Sequence, residues 1–150
     1  MITSKKYRVT MIVTHPNITA DEIVSAFSFT ARWARSVGTA RSTLSGEPLN
    51  GFYAETSVCL EISKAVIDHD KTDLTEFLNA CLCKLPLVTI DRVVDSGGIC
   101  FLSVGIYTDG NMMCDFEEEL LGKLSAHKIG LKFDMYGGPE NDRAAKVEVG

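Results

Sequence analysis

Val88-Thr89-Ile90-Asp91-Arg92-Val93-Val94-Asp95-Ser96-Gly97-Gly98-Ile99-Cys100-Phe101-Leu102-Ser103-Val104-Gly105-Ile106 opens the stretch, running on to Tyr136, whose reading decides the fold of this chain. The pattern is strand, Gly-Gly turn, strand, capped helix, closing strand. A loop of Gly97-Gly98 alone would set Asp91 opposite Val104, a carboxylate on the apolar face. A three-residue Ser96-Gly97-Gly98 loop, with Gly98 left-handed in a bulged type I turn, instead puts Val88, Ile90 and Val94 on one face with Ile106, Val104 and Cys100. Arg92 opposite Leu102 then lays its stem along the sheet. Asp115 followed by Glu118 marks a helix start, with Phe116, Leu120, Leu121, Leu124 and Ile129 inward, and Gly130 marks its stop. Glu117, Glu118 and Glu119 suit the positive end of that helix dipole. In the last strand Leu131, Phe133 and Met135 read as the core side, and Lys132, Asp134 and Tyr136 as the outward side.

Working outward, Tyr7, Val9, Met11 and Val13 alternate with Arg8, Thr10, Ile12 and Thr14, a half-buried strand stopped by His15-Pro16. Thr19 and Glu22 form a capping box for a helix carrying Ile23, Ala26, Phe27, Thr30 and Ala34, expected to end before Gly38 with Trp33 at the sheet edge. Residues 39–51 are polar and turn-rich, with room for a short edge strand near Arg41–Leu44. Alternation returns from Phe52, with Ala54, Thr56, Val58, Leu60 and Ile62 on one face. Asp73 and Glu76 open a helix whose Leu74, Phe77, Leu78, Cys81, Leu82 and Leu85 form a buried stripe before Pro86 breaks it.

The order β-α-(β)-β-α-β-β-α-β predicts an α+β fold, a mostly antiparallel sheet with three helices on one face. It is read as ferredoxin-like with an extra hairpin, one domain over 1–138 followed by a mobile charged tail over 139–150.

Composition narrows the functional classes. The 150 residues carry a net charge of −5 with acids and bases interspersed, so no basic patch exists for nucleic acid and no polybasic segment for a membrane surface. No apolar run approaches the length of a spanning helix, and a cytoplasmic location is expected. Five cysteines, an odd number, fit reduced thiols better than a disulfide framework.

Chemistry-bearing residues are sparse. Cys81 and Cys83 lie two apart on a helix and point to different faces, and His15, His69 and His127 are scattered, so no metal site is expected. Cys114 lies near a helix start, which favours a thiolate, but Asp115 and the glutamates after it oppose that charge. Gly97-Gly98 does not precede a helix in this reading, so no phosphate loop is assigned. No catalytic residue and no cofactor are expected.

The outward sheet face by parity collects Arg8, Thr10, Tyr53, Glu55, Ser57, Glu61, Asp91, Phe101, Ser103, Lys132, Asp134 and Tyr136. Aromatic rings among charges suit a protein-binding surface, with Tyr53, Glu55, Asp91, Phe101, Asp134 and Tyr136 as its candidate residues. A protein partner or self-association is the first expectation. The alternative is a small-molecule or regulatory module using the cleft beside the Phe27–Gly51 segment, and an enzyme using Asp91, Asp134 or Cys114 is a third.

His15-Pro16-Asn17-Ile18-Thr19-Ala20-Asp21-Glu22-Ile23, Ser96-Gly97-Gly98, and Glu119-Leu120-Leu121 through Gly130-Leu131-Lys132-Phe133-Asp134-Met135-Tyr136 resemble, in order and spacing, the bacterial domain of unknown function 4279 family. Members carry a Leu-Gly-Pro-type segment after the first helix and a tryptophan leading the next long strand. Here Phe27-Ser28-Phe29-Thr30-Ala31-Arg32-Trp33 and Phe52-Tyr53 stand at those places. The resemblance implies a bacterial protein. Through members lying near polymorphic toxin genes it implies an immunity role, in which an acid-leaning face covers a basic toxin.

Overall fold

The structure, a computed structural model, describes residues 4–137. In chain order the elements are β1 (Lys5–His15), α1 (Ala20–Phe27), β2 (Ala31–Arg35), β3 (Ala40–Ser42), β4 (Pro48–Phe52), β5 (Thr56–Glu61), β6 (Ile67–Asp68), α2 (Leu74–Lys84), α3 (Leu87–Asp95), β7 (Ile99–Thr108), α4 (Glu118–Ala126) and β8 (Ile129–Gly137). The fold is mixed α and β with a mostly antiparallel sheet. Among the described residues there are four helices rather than the expected three. The main sheet runs β2-β5-β1-β7-β8, β6 also pairs β1, and β3 and β4 form a separate ribbon. The proposed tail, 139–150, lies outside the described residues.

The chain divides into two compact units. The first comprises residues 4–10, 62–85 and 102–137 of the described chain. Tyr7 and Val9 of β1 and Leu102, Val104 and Ile106 of β7 are buried in it. The Ser4 amide donates to Asp109 and the Thr10 hydroxyl to the Ser103 carbonyl, so partners on β7 descend as β1 ascends and the two strands are antiparallel. Helix α2 begins where the acid signal placed it: Asp73 accepts from the Thr75 amide at 2.8 Å, and Leu74, Leu78, Cys81, Leu82 and the following Leu85 are buried. The Tyr7 ring meets Phe77 edge-on at 5.9 Å and its hydroxyl donates to the Thr72 carbonyl.

The second unit comprises residues 11–61 and 86–101. The capping box holds as read, with the Glu22 amide donating to the Thr19 hydroxyl and the Thr19 amide to the Glu22 carboxylate. Helix α1 is shorter than expected. Ser28 adopts the left-handed region at φ 59° and ends it, so Ala31–Arg35 becomes strand β2, paired antiparallel with β5 and setting Trp33 against Cys59. The edge strand suspected near Arg41 is present as β3, paired with β4.

The largest correction falls on the opening stretch. Leu87–Asp95 is helix α3, not the first strand of a hairpin. Its Val, Ile and Thr content suits a strand, but Leu87, Ile90 and Val93 recur every three residues, and burying Ile90 and Val93 together overrides β propensity. Val88, expected inward, is exposed. Ser96-Gly97-Gly98 is therefore a helix stop. The amides of Ser96, Gly97 and Gly98 donate to the carbonyls of Arg92, Val94 and Val93, and Gly97 sits at φ 106°.

Two smaller corrections concern the end of the chain. Helix α4 starts three residues after Asp115, with Glu117 at its N-cap and no capping side chain. Phe133 and Met135, expected in the core, are 38% and 71% exposed, because β8 lies at the sheet edge, where apolar alternation no longer guarantees cover.

Candidate functional site

Two of the motifs singled out in the sequence meet at one place in the second unit. His15 ends β1 and is buried. Its Nδ1 accepts from the amides of Asn17 and Ile18, both at 3.0 Å. With that lone pair occupied, the ring proton sits on Nε2 and is donated to Ser96 Oγ at 2.9 Å. Ser96 Oγ reaches back to the carbonyls of Arg92 and Val93. Gly98 closes the arrangement: a methyl group there would lie 2.5 Å from Val93 Cγ1 and 2.9 Å from the His15 ring. A His-Ser pair invites a nucleophile reading, but the polarity is wrong. A general base needs its lone pair facing the hydroxyl, and this histidine donates to it. The arrangement ties the strand end to the helix stop, and it is structural.

The sequence-selected binding residues fall in both units, and each unit's set is described by itself. Asp91 lies on α3, so it leaves the sheet-face set. Tyr53 and Glu55 sit between β4 and β5. Tyr53 Oη donates to the Ser42 carbonyl and accepts from its amide, and the Arg35 guanidinium lies 5.0 Å from the Trp33 ring and 5.6 Å from the Tyr53 ring. Backbone hydrogen bonding at Ser42 first, then the nearby Arg35 and Arg41, draw the Tyr53 phenol below its ordinary pKa. Phe101 is half-buried on β7. In the first unit Asp134 and Tyr136 share β8. Asp134 is exposed, while Tyr136 stacks on Tyr107 with ring centroids 5.1 Å apart. Arg8 and Thr10, read as outward, are buried, and among the described residues Arg8 Nε has no hydrogen-bond partner.

Three of the thiols are held away from the thiolate form. Burial pushes Cys81 up to about 11 and Cys100 up to about 12. Cys114 is also raised, by burial first and then by the charges of Asp73 and Asp115. Among the described residues no group of three or more His, Cys, Asp and Glu side chains is placed to hold a metal ion. No helix there is long and apolar enough to cross a membrane.

What parity reasoning missed is the other side of β8. Phe133 packs on Phe116, ring centroids 5.6 Å apart, yet stays partly exposed beside the exposed Met135 on the same face. Met113, just upstream of Phe116, and Leu121 of α4 are exposed as well. The available signal was position: among the described residues β8 is the last strand of its sheet, with a neighbour on one side only. Compared with family models, with curated proteins and with solved structures, the chain matches none.

Proposed function

We propose that this chain is a non-enzymatic protein-binding module whose docking surface is the β8 edge of its first unit. The observation that carries the reading is an edge strand of nine residues with Phe133 and Met135 exposed on one face and Lys132 and Asp134 on the other. Large apolar side chains in a charged setting are what an interface core and rim require. A backbone edge adds hydrogen bonds to any strand laid along it.

The arrangement of groups elsewhere supports a binding rather than a catalytic role. The buried histidine has both nitrogens engaged, and the thiols at 81, 100 and 114 are held protonated at neutral pH. An immunity protein covering a basic toxin is the narrower form of this proposal, and the net charge of −5 supports it.

A photo-crosslinking residue placed at Met135, with exposed Asn79 on α2 as control, tests the surface in the cells that make the protein. The expected result is a discrete adduct from position 135 that is absent from position 79. Identical patterns at the two positions would remove β8 from consideration.

A further inference from the structure

The five central residues of strand β8, Leu131 to Met135, are self-complementary about the strand's midpoint. The strand runs Ile129–Gly137, so Phe133 is the central residue. Lys132 and Asp134 flank it, followed by Leu131 and Met135. We infer that a second copy of this chain docks on β8, the two strands pairing antiparallel about a two-fold axis at Phe133. This rests on the β8 docking surface proposed above and names its occupant.

In that register Lys132 of each chain lies opposite Asp134 of the other, Leu131 opposite Met135, and Phe133 opposite Phe133. Both charges are matched twice and the exposed apolar row is continued across the axis. All nine residues of the strand are used.

Neighbouring registers do worse. Moving the axis by one residue sets Lys132 against Lys132 or Asp134 against Asp134, like charges directly opposed. Placing the axis between two residues puts the apolar row of one copy on the charged face of the other. The Phe133-centred pairing is therefore the one in this strand that satisfies both faces. It also answers a liability, because among the described residues β8 presents exposed Phe133 and Met135 along a strand edge. A closed two-fold pair consumes the edge and stops there.

The charge pattern supplies the test. Sedimentation equilibrium over a concentration series should show the wild-type chain passing from monomer to dimer. Asp134→Lys, at an exposed position, should leave the thermal melt in place and weaken dimerisation roughly tenfold or more, since two attractive pairs become repulsive. The double variant Lys132→Asp with Asp134→Lys should restore it, and an equimolar mixture of the two single variants should form a heterodimer.

A wild-type chain that stays monomeric up to about 1 mM, the range of weak specific affinity, overturns the proposal. So does a double variant that fails to recover association. If the chain is monomeric while position 135 crosslinks to a different protein, self-pairing falls and the docking surface stands. If position 135 is silent too, both fall.

Discussion

At the scale of single residues, the most constrained position is Gly98. An added methyl meets Val93 and the His15 ring, neither able to withdraw, so Gly98→Ala should cost about 1–3 kcal/mol by overpacking, read as a lower midpoint in urea. Ser96→Ala removes the acceptor of the His15 ring proton and should cost about 1 kcal/mol. Tyr7 gives a pH signature. Burial first, then the charges of Asp73, Cys114 and Glu76, raise its phenol from 10.0 to about 12. The folded value exceeds the unfolded one, so the stabilisation is whole below pH 10 and is lost as pH climbs toward 12. Tyr7→Phe should flatten that alkaline slope in a denaturant series at each pH, at about 1 kcal/mol near neutrality for the lost bond to Thr72. Among the thiols, Cys83 is exposed whereas Cys59, Cys81 and Cys100 are buried, so a thiol reagent at pH 8 should label Cys83 first and those three only on unfolding. Local signals at this scale were legible: Thr19 and Glu22 cap α1, and Asp73 caps α2. The His15–Ser96 bond was not, because 81 residues separate its ends and only the packed unit joins them.

Among the elements, α3 is where strand chemistry and helix periodicity compete. Because Ile90 is buried and Val88 exposed, Ile90→Ala should cost about 2–5 kcal/mol while Val88→Ala stays within about 0.5 kcal/mol, measured by denaturant unfolding. A proline at Asp91, inside the helix, should cost about 3 kcal/mol or more. The same competition explains which elements could be read ahead of the structure. Helix α2 and strand β7 were recovered, since each has one strong period and burial that agrees with it, while β1 was recovered as a strand although both its faces are buried from Tyr7 to Met11. Ala31–Arg35 was read as a continuation of α1, because the stop at Ser28 uses a left-handed serine, which carries no strong composition cue. The two-residue strand β6 is too short for any period and exists through pairing with β1, Lys6 against Asp68 and Tyr7 against Ile67.

For the whole molecule, the alternation of β8 told correctly which residues share a face. Which face is covered depended on the strand's rank in the sheet, a property of topology rather than of local pattern. Parity likewise could sort residues by side but could not place Asp91 on a helix or bury Arg8. The exposed apolar row should show itself near the isoelectric point of about 5.2, where net repulsion vanishes. Met135→Lys should then remain soluble at concentrations that precipitate the parent, measured as light scattering against pH. The order of the strands has a further consequence during synthesis. Strand β1 is made well before one of the groups it bonds to, since the Ser103 carbonyl that receives its Thr10 hydroxyl lies 93 residues downstream. At roughly 5–20 residues per second, a ribosome needs on the order of 5–20 s to supply that partner. Through that interval the side of β1 that β7 will pair stays open, so the nascent chain should be a client for chaperones that bind extended segments, and slowing translation should lengthen its stay with them.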